Sequence, residues 1–245
     1  MINYLCHNKV SHWFPTVLTI ICSMVSGVLL CNSSQQPQLV DIKSLAPAIS
    51  VRIPYATENN FTGKKLYSRN VCLLRPAVAN AVLRAYADAL SHGFSLRLMD
   101  CYRPQSVSLD MWRVGEEHNR ACRRLGGACR SGNCNATQPN CLWEPLTNFM
   151  SRASKHNRAA TVDITLITLY GTEVNMGTAF DYFGPEARTS NASGKALEHR
   201  ILLKNIMHKQ GFRNYFREWW HYDHQTYQDY AVLDLPLDSF TGRNK

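Results

Sequence analysis

Residues 93–104 read GFSLRLMDCYRP and contain the clearest strand pattern in the chain. Phe94, Leu96 and Leu98 alternate with the residues between them, which is the two-residue period of a β-strand that buries one apolar face. The turn-forming and polar residues after the pattern indicate where the strand ends. The sequence therefore predicts a strand with Arg103 at its exit.

Helical patterns lie on both sides of this strand. On its N-terminal side, apolar residues recur every three to four positions from Pro76 to His92, and Gly93 ends the pattern. On its C-terminal side, residues 105–118 form a weaker helical pattern. A third helix is predicted over residues 195–210, with Ile201 among the apolar residues of its buried face.

A second strand is predicted from Thr161 to Leu166, with its apolar residues on one face and Asp163 on the other. Helices, strands and loops follow one another without the regular rhythm of a parallel α/β protein. We therefore expect an α+β fold, formed by a single compact domain. Its sheet should be central, mainly antiparallel and flanked by helices.

The composition is that of a globular protein. The chain has 245 residues, of which 45% are hydrophobic and 18% charged, and this excludes fibrous and wholly disordered classes. The net charge of +9 would suit an anionic partner such as nucleic acid, an acidic lipid surface or a cell-wall polymer. Because the basic residues are scattered, we expect no nucleic-acid partner.

The first 36 residues contain no acidic side chain and one lysine, Lys9, ahead of an apolar run from Trp13 to Leu30. This pattern predicts a signal peptide over residues 1–33, although the run is also long enough for a membrane anchor. Lipidation at Cys31 is a further alternative. We expect the functional domain over 37–245 and no stable membrane partner unless the leader is retained. Nothing in the sequence indicates an oligomeric state.

Nine cysteines divide between the leader and the rest of the chain. Six follow the leader: Cys72, Cys101, Cys122, Cys129, Cys134 and Cys141. An even number in an exported chain predicts up to three disulfides, whose pairing the sequence does not specify. The glycine-containing segment from Cys122 to Cys141 is expected to be a Cys-rich surface excursion pinned by disulfides. The alternative to disulfides in this segment is a structural zinc site, although no C-x-x-C pair occurs there.

Two short stretches, Ser154–Asp163 and Glu218–Tyr222, together contain two histidines and two carboxylates. Two histidines and one carboxylate can hold a catalytic zinc ion whose fourth position is open to water. A nearby carboxylate that does not bind the metal could take the proton of that water. The alternative is that these are ordinary hydrogen-bonded histidines and core tryptophans. The sequence lacks H-E-x-x-H, G-x-S-x-G and P-loop motifs.

These stretches resemble a known family. The motif S-x-H-x-x-x-x-x-x-D of Ser154–Asp163, the E-W-W-H of Glu218–His221 and the D-x-Y-R-P of Asp100–Pro104 are similar to those of the zinc D-alanyl-D-alanine dipeptidases of the vancomycin-resistance type. Shorter matches begin at Tyr55 and Met176, and the resemblance runs in order from about residue 50 to 224. It implies a zinc metallopeptidase whose substrate is a small D,D-dipeptide.

The resemblance also implies one Zn²⁺ per chain, with His156, Asp163 and His221 as its ligands. The chain departs from the family pattern at Ala159, where the family usually has glycine three residues after the first histidine. If this position requires a positive φ, the loop must be rearranged or strained.

Four further roles follow from the same resemblance. Glu218 would be the general base that deprotonates the water and later protonates the leaving amine, and Arg103 would stabilise the oxyanion. Asp181 would bind the free amino group of the dipeptide, and Ser154 would help to bind substrate.

Two rival functions remain at this point. A zinc D,D- or L,D-carboxypeptidase or endopeptidase would use the same metal-site residues on longer peptidoglycan stem peptides, and the basic charge favours it slightly. A catalytically inactive zinc-binding or wall-binding module is the other rival. The leader and the cysteines predict an exported, periplasmic protein, for which recovery of dipeptides from peptidoglycan is the expected role.

Overall fold

The computed structural model describes residues 37–124 and 145–240. Its strands and α-helices in these ranges belong to one compact unit that begins at Leu39. In chain order they are β1 (Val40–Asp41), α1 (Ile42–Leu45), β2 (Ser50–Val51), β3 (Leu73–Leu74), α2 (Pro76–Ser91), β4 (Phe94–Asp100), α3 (Gln105–Arg124), β5 (Thr161–Thr168), α4 (Gly194–Lys209), β6 (Phe212–Asn214) and β7 (His221–His224).

A five-stranded sheet forms the centre of this unit, with the strand order β2-β4-β5-β7-β6. The β2–β4 pair is parallel and the other three pairs are antiparallel. β1 and β3 form a separate antiparallel pair. The predicted α+β fold with a mainly antiparallel sheet is therefore confirmed.

One face of the sheet is covered by α2 and α4, which contact β4, β5 and each other. Val162, Ile164 and Leu166 of β5 are fully buried in that core, as the alternation predicted. Asp163 points to the opposite face, yet it is also buried. β5 is thus covered on both faces, and its second face forms the wall of a cavity.

α2 and α3 begin where the sequence predicted, α4 begins one residue earlier, and α1 was not predicted. Two further details differ. α3 continues to Arg124, six residues beyond the expected end at His118, because the first glycine or proline after His118 is Gly126. Cys122 therefore lies in a helix, and the expected Cys-rich excursion from residue 125 to Cys141 falls within residues 125–144, which lie outside the described residues.

The buried face of α4 was also predicted incorrectly. Ile201 is 45% exposed, whereas Arg200 is 1% exposed. The reason is that a loop before α4 covers this side of the helix and presents carbonyl oxygens to the Arg200 guanidinium. Among the described residues, no helix has both the length and the apolar character needed to span a bilayer.

Cys72 and Cys101 form a disulfide between the segment before β3 and the residue that follows β4. The sequence predicted up to three disulfides without their pairing, and this bond is one such disulfide. It lies in the core, where both cysteines are at most 1% exposed.

Candidate active site

Three elements bring the predicted ligands to one point. His156 lies in a short 3₁₀ turn, Lys155–Arg158, Asp163 in β5, and His221 begins β7. Asp163 and His221 are direct cross-strand partners, so the sheet register itself places them together. His156 Nε2 lies 3.4 Å from Asp163 Oδ1 and 3.3 Å from His221 Nδ1, and His221 Nδ1 lies 3.1 Å from Asp163 Oδ1.

These three atoms have the spacing that a tetrahedral metal requires. Ligands at the usual bond lengths to zinc lie about 3.3 Å from one another. Asp163 Oδ1 is buried and has no hydrogen-bond partner, which is costly for a carboxylate oxygen unless a cation binds it. His156, Asp163 and His221 therefore form a possible metal site.

In each imidazole, the ring nitrogen that faces away from the other two predicted ligands donates a hydrogen bond to an oxygen atom. His156 Nδ1 donates to the carbonyl oxygen of Cys101 at 2.8 Å, and His221 Nε2 donates to Asp223 Oδ1 at 3.2 Å. The other nitrogen of each ring then keeps its lone pair for a metal. Sequence reasoning did not find Asp223, although its position two residues after His221 in a strand places it on the same face.

Ala159 ends the 3₁₀ turn in the left-handed region, with a φ of 58°. The suspected positive φ is confirmed, and it costs an alanine about 1–2 kcal/mol relative to a right-handed conformation. Its N–H donates to the carbonyl of His156 at 3.1 Å, and the residue is completely buried. The surrounding packing therefore holds this backbone in place without a glycine.

Glu218 lies in the turn between β6 and β7, three residues before His221. The side chain of Asn214 donates to the carbonyl oxygens of both Glu218 and His221, at 2.8 and 3.0 Å, and fixes this turn. Glu218 Oε2 lies 3.5 Å from His221 Nδ1. Burial raises the pKa of Glu218 to about 8. The arrangement provides a carboxyl group beside the metal site that can hold and release a proton near neutral pH.

Arg103 enters the cavity from the segment after β4 and is held by Asp100. Its Nε and Nη2 atoms donate to Asp100 Oδ2 at 3.0 and 2.6 Å, and Tyr67 donates to Oδ1 at 2.7 Å. Burial alone would lower the pKa of Arg103, but Asp100 keeps it well above the usual value, so the guanidinium stays charged. Asp100 belongs to the D-x-Y-R-P motif, yet its partners could not be read from the sequence.

Asp181 lies on the other side of the cavity, with a positive φ of 59°. The hydroxyl of Tyr55 donates to its Oδ2 atom at 2.8 Å. Burial raises the pKa of Asp181 well above the usual value; the hydrogen bond from Tyr55 opposes this, and Asp163 and Glu218 add to it. A cationic group in the cavity would stabilise its charged form.

Arg200 organises the loop that carries Asp181. Its guanidinium donates to the carbonyl oxygens of Met176, Glu186 and Arg188 at 2.6, 2.8 and 2.8 Å, on both sides of Asp181 in the sequence. Sequence reasoning placed no function on this arginine, because its partners are backbone atoms of a distant loop.

Ser154 caps the 3₁₀ turn. Its hydroxyl oxygen accepts a hydrogen bond from the N–H of His156 at 3.3 Å. The residue also lines the cavity, so its expected contact with substrate remains a prediction.

All seven predicted site residues line one cavity of about 250 Å³. Trp220 also lines this cavity, whereas Trp219 and Tyr222 are packed in the core. Further wall residues are aromatic or apolar: Tyr55, Phe61, Met111, Phe149, Met150, Phe183 and Tyr215. A possible metal site beside a carboxyl group and a guanidinium, in a small cavity, is the arrangement expected of a metallohydrolase.

Known proteins narrow this class. The family model described as D-ala-D-ala dipeptidase, of the M15 peptidases, matches residues 35–234. The chain is similar to the D-alanyl-D-alanine dipeptidase of Enterococcus faecalis, with 33% identity over 69% of this chain and 82% of that protein. It is similar to the protein of the same name from Streptomyces coelicolor, with 33% identity over 74% and 88%, and from Escherichia coli, with 27% identity over 82% and 91%.

The chain therefore belongs to the D-ala-D-ala dipeptidase family of M15 peptidases. It is an enzyme of the metallopeptidase class, as its sequence motifs indicated.

Proposed function

We propose that the protein is a zinc-dependent dipeptidase that hydrolyses D-alanyl-D-alanine to two molecules of D-alanine. The main support is the geometry of the site, where His156, Asp163 and His221 lie together beside Glu218. The names of the relatives support the choice of dipeptide.

Zinc fits the donor set. Two imidazole nitrogens and one carboxylate oxygen are a common ligand set of catalytic zinc, and the distances between these atoms suit tetrahedral coordination. A zinc ion held there supplies Lewis acidity toward a carbonyl oxygen and makes a water molecule more acidic. Asp223 and the Cys101 carbonyl orient the two histidines for this role.

Glu218 moves the proton in this reaction. Its carboxylate accepts a proton from the water that adds to the peptide carbonyl, and it then gives that proton to the amine as the C–N bond breaks. Arg103 supplies a fixed positive charge on the cavity wall, where the carbonyl oxygen gains negative charge. Because Asp100 holds two of its N–H groups, the guanidinium is oriented before substrate binds.

The cavity favours a short substrate with a free amino group. Asp181 supplies the anion that pairs with the ammonium end, and Tyr55 fixes the orientation of its carboxylate. The volume of about 250 Å³ suits a small dipeptide better than a peptidoglycan stem peptide.

We also propose that the enzyme works outside the cytoplasm, in the periplasm, on dipeptides released from peptidoglycan. The apolar leader with its basic start supports export. The Cys72–Cys101 disulfide is typical of proteins that mature in an oxidising compartment.

The decisive experiment measures D-alanine released from D-alanyl-D-alanine by the purified protein. We expect release that a chelator abolishes and that added zinc restores, whereas added magnesium should not restore it. A muropeptide with an intact stem is the matched substrate. Cleavage of the muropeptide without cleavage of the free dipeptide would replace the dipeptidase with the carboxypeptidase or endopeptidase alternative. Zinc binding without any cleavage would indicate the inactive binding module.

A further inference from the structure

The Cys72–Cys101 disulfide lies where β4 leaves the regular ladder of the sheet. The pairing of β4 with β5 shifts between Leu98 and Asp100, and β4 ends at Asp100. The next residue, Cys101, is bonded to the residue that directly precedes β3. One backbone hydrogen bond, from Tyr102 N–H to the carbonyl of Leu73 at 3.1 Å, continues this attachment. The disulfide therefore holds the chain at a point where regular strand pairing ends.

The same segment supports the metal ligand His156. The carbonyl oxygen of Cys101 accepts the hydrogen bond from His156 Nδ1 at 2.8 Å. This bond fixes which ring nitrogen carries the proton and how the ring is turned. A displacement of the Cys101 backbone would move the acceptor and leave the buried imidazole free to rotate.

The segment supports Arg103 as well. The N–H of Cys101 donates to Asp100 Oδ1 at 2.9 Å, and Oδ2 of the same carboxylate holds the Arg103 guanidinium. The backbone N–H of Arg103 also donates to the carbonyl of His156 at 3.3 Å. The disulfide thus braces the short stretch of chain on which a metal ligand and the cavity's guanidinium both depend.

We propose that the Cys72–Cys101 disulfide is a positioning element of the metal site, which holds the Cys101 carbonyl against His156 so that metal affinity depends on the bond. The inference rests on the proposed metal-dependent function. Neither cysteine lines the cavity, so the disulfide acts only through the residues it places. Partners that orient a ligating histidine typically change metal affinity by about 10- to 100-fold. We expect about a tenfold loss here, because the carbonyl remains in the chain and only its support is removed.

The test compares three forms of the full chain after export and oxidation: wild type, the double variant Cys72→Ala/Cys101→Ala, and Leu203→Ala. Leu203 is fully buried in the same core and lies away from the cavity, so its truncation lowers stability without touching the site. Zinc affinity is measured by competition with a chromophoric chelator, and the visible spectrum of the cobalt-loaded protein reports the ligand geometry. Unfolding midpoints and circular dichroism show that each form is folded. If the alanine pair does not fold, Cys72→Val/Cys101→Ala restores part of the lost volume.

Support for the proposal is a tenfold or greater loss of zinc affinity and an altered cobalt spectrum in the double variant, with Leu203→Ala within twofold of wild type. A double variant that binds zinc within twofold of wild type overturns it, and so does an equal loss in both variants. A wild-type protein that binds no zinc overturns the proposed function and this inference with it. A wild-type protein that binds zinc but cleaves no dipeptide removes the proposed activity, while the zinc affinities still decide the role of the disulfide.

Discussion

The active-site cavity and a second cavity lie next to each other and differ in their charged groups. The second cavity, of about 440 Å³, is the larger of the two. Phe180 and Trp219 line it, whereas their neighbours Asp181 and Trp220 line the active site. The ring of Trp220 contacts those of Phe180 and Trp219, with centroid distances of 5.4 and 5.2 Å, so these three aromatic rings separate the two cavities. Size therefore does not distinguish the functional cavity from its neighbour.

The placement of the charges does distinguish them. In the second cavity, Arg52 and Arg97 both bind Glu173 Oε1, at 3.4 and 2.8 Å, and the glutamate side chain is 69% exposed. In the active site, Asp163 and Glu218 are buried, and Asp163 Oδ1 has no hydrogen-bond partner. Buried ionisable groups that face a cavity are costly and favour a bound ligand, whereas ion pairs with an exposed glutamate cost little.

The largest effect should come from removing a metal ligand. His221→Ala removes one of three donor atoms, and we expect loss of bound zinc and D-alanine release at background level. Metal analysis of the purified protein and the release assay check this result. Glu173→Gln, from the second cavity, is the control and should keep its zinc. A His221→Ala protein that retained zinc and activity would remove the distinction between the cavities.

Glu218→Gln should be the next most severe change. The amide keeps the size of the side chain but cannot accept the proton from water, so kcat should fall about 10²- to 10⁴-fold. Zinc content should stay at the wild-type level, because Glu218 is not one of the three ligands. Steady-state kinetics together with metal analysis test both statements. A kcat close to that of wild type would exclude Glu218 as the general base.

Asp181→Asn should affect binding more than chemistry. Loss of a charged hydrogen bond to the ammonium group should raise KM roughly 10- to 100-fold, with a smaller change in kcat. Tyr55→Phe, which removes the hydrogen bond to Asp181 but leaves the carboxylate, should show a smaller increase in KM. If Asp181→Asn lowers kcat and leaves KM unchanged, the carboxylate does not bind the amino group.

The smallest effect is expected in the second cavity. Glu173→Gln weakens the ion pairs with Arg52 and Arg97. Because the Glu173 side chain is 69% exposed, the free energy of unfolding should change by less than about 1 kcal/mol. Its kcat/KM should stay within a factor of two of wild type. Thermal unfolding and steady-state kinetics measure these quantities. A large loss of activity would show that the second cavity takes part in the reaction.

Sequence reasoning succeeded where local patterns determine the structure. The alternation in β4 and β5 and the Pro76 and Gly93 boundaries of α2 are local, and the structure confirms them. The possible metal site could be predicted because its three candidate ligands lie within two motifs. Prediction from the sequence failed where segments that are distant in the chain contact each other. Arg200 is buried because a loop offers it three carbonyl oxygens, and no periodicity in α4 indicates this.

The groups that orient the site residues could not be predicted for the same reason, since their contacts join distant segments of the chain. The partner of His156 is a backbone carbonyl, which every residue has, so sequence patterns cannot single out Cys101. The disulfide pairing of Cys101 with Cys72 depends on the tertiary position of β3 beside the end of β4. By contrast, Asp223 could have been found, because alternation along β7 places it on the same face as His221.

Asp163 and His221 face each other across β5 and β7, although they are far apart in the sequence. A slip of one residue in this pairing would turn one of the two side chains to the other face of the sheet. Only the correctly registered sheet would therefore bind the proposed metal, and a bound metal would close the long loop between the strands as a cross-link does. Metal binding would thus stabilise only the sheet with the correct strand register. A chelator should therefore lower the temperature at which the whole unit unfolds.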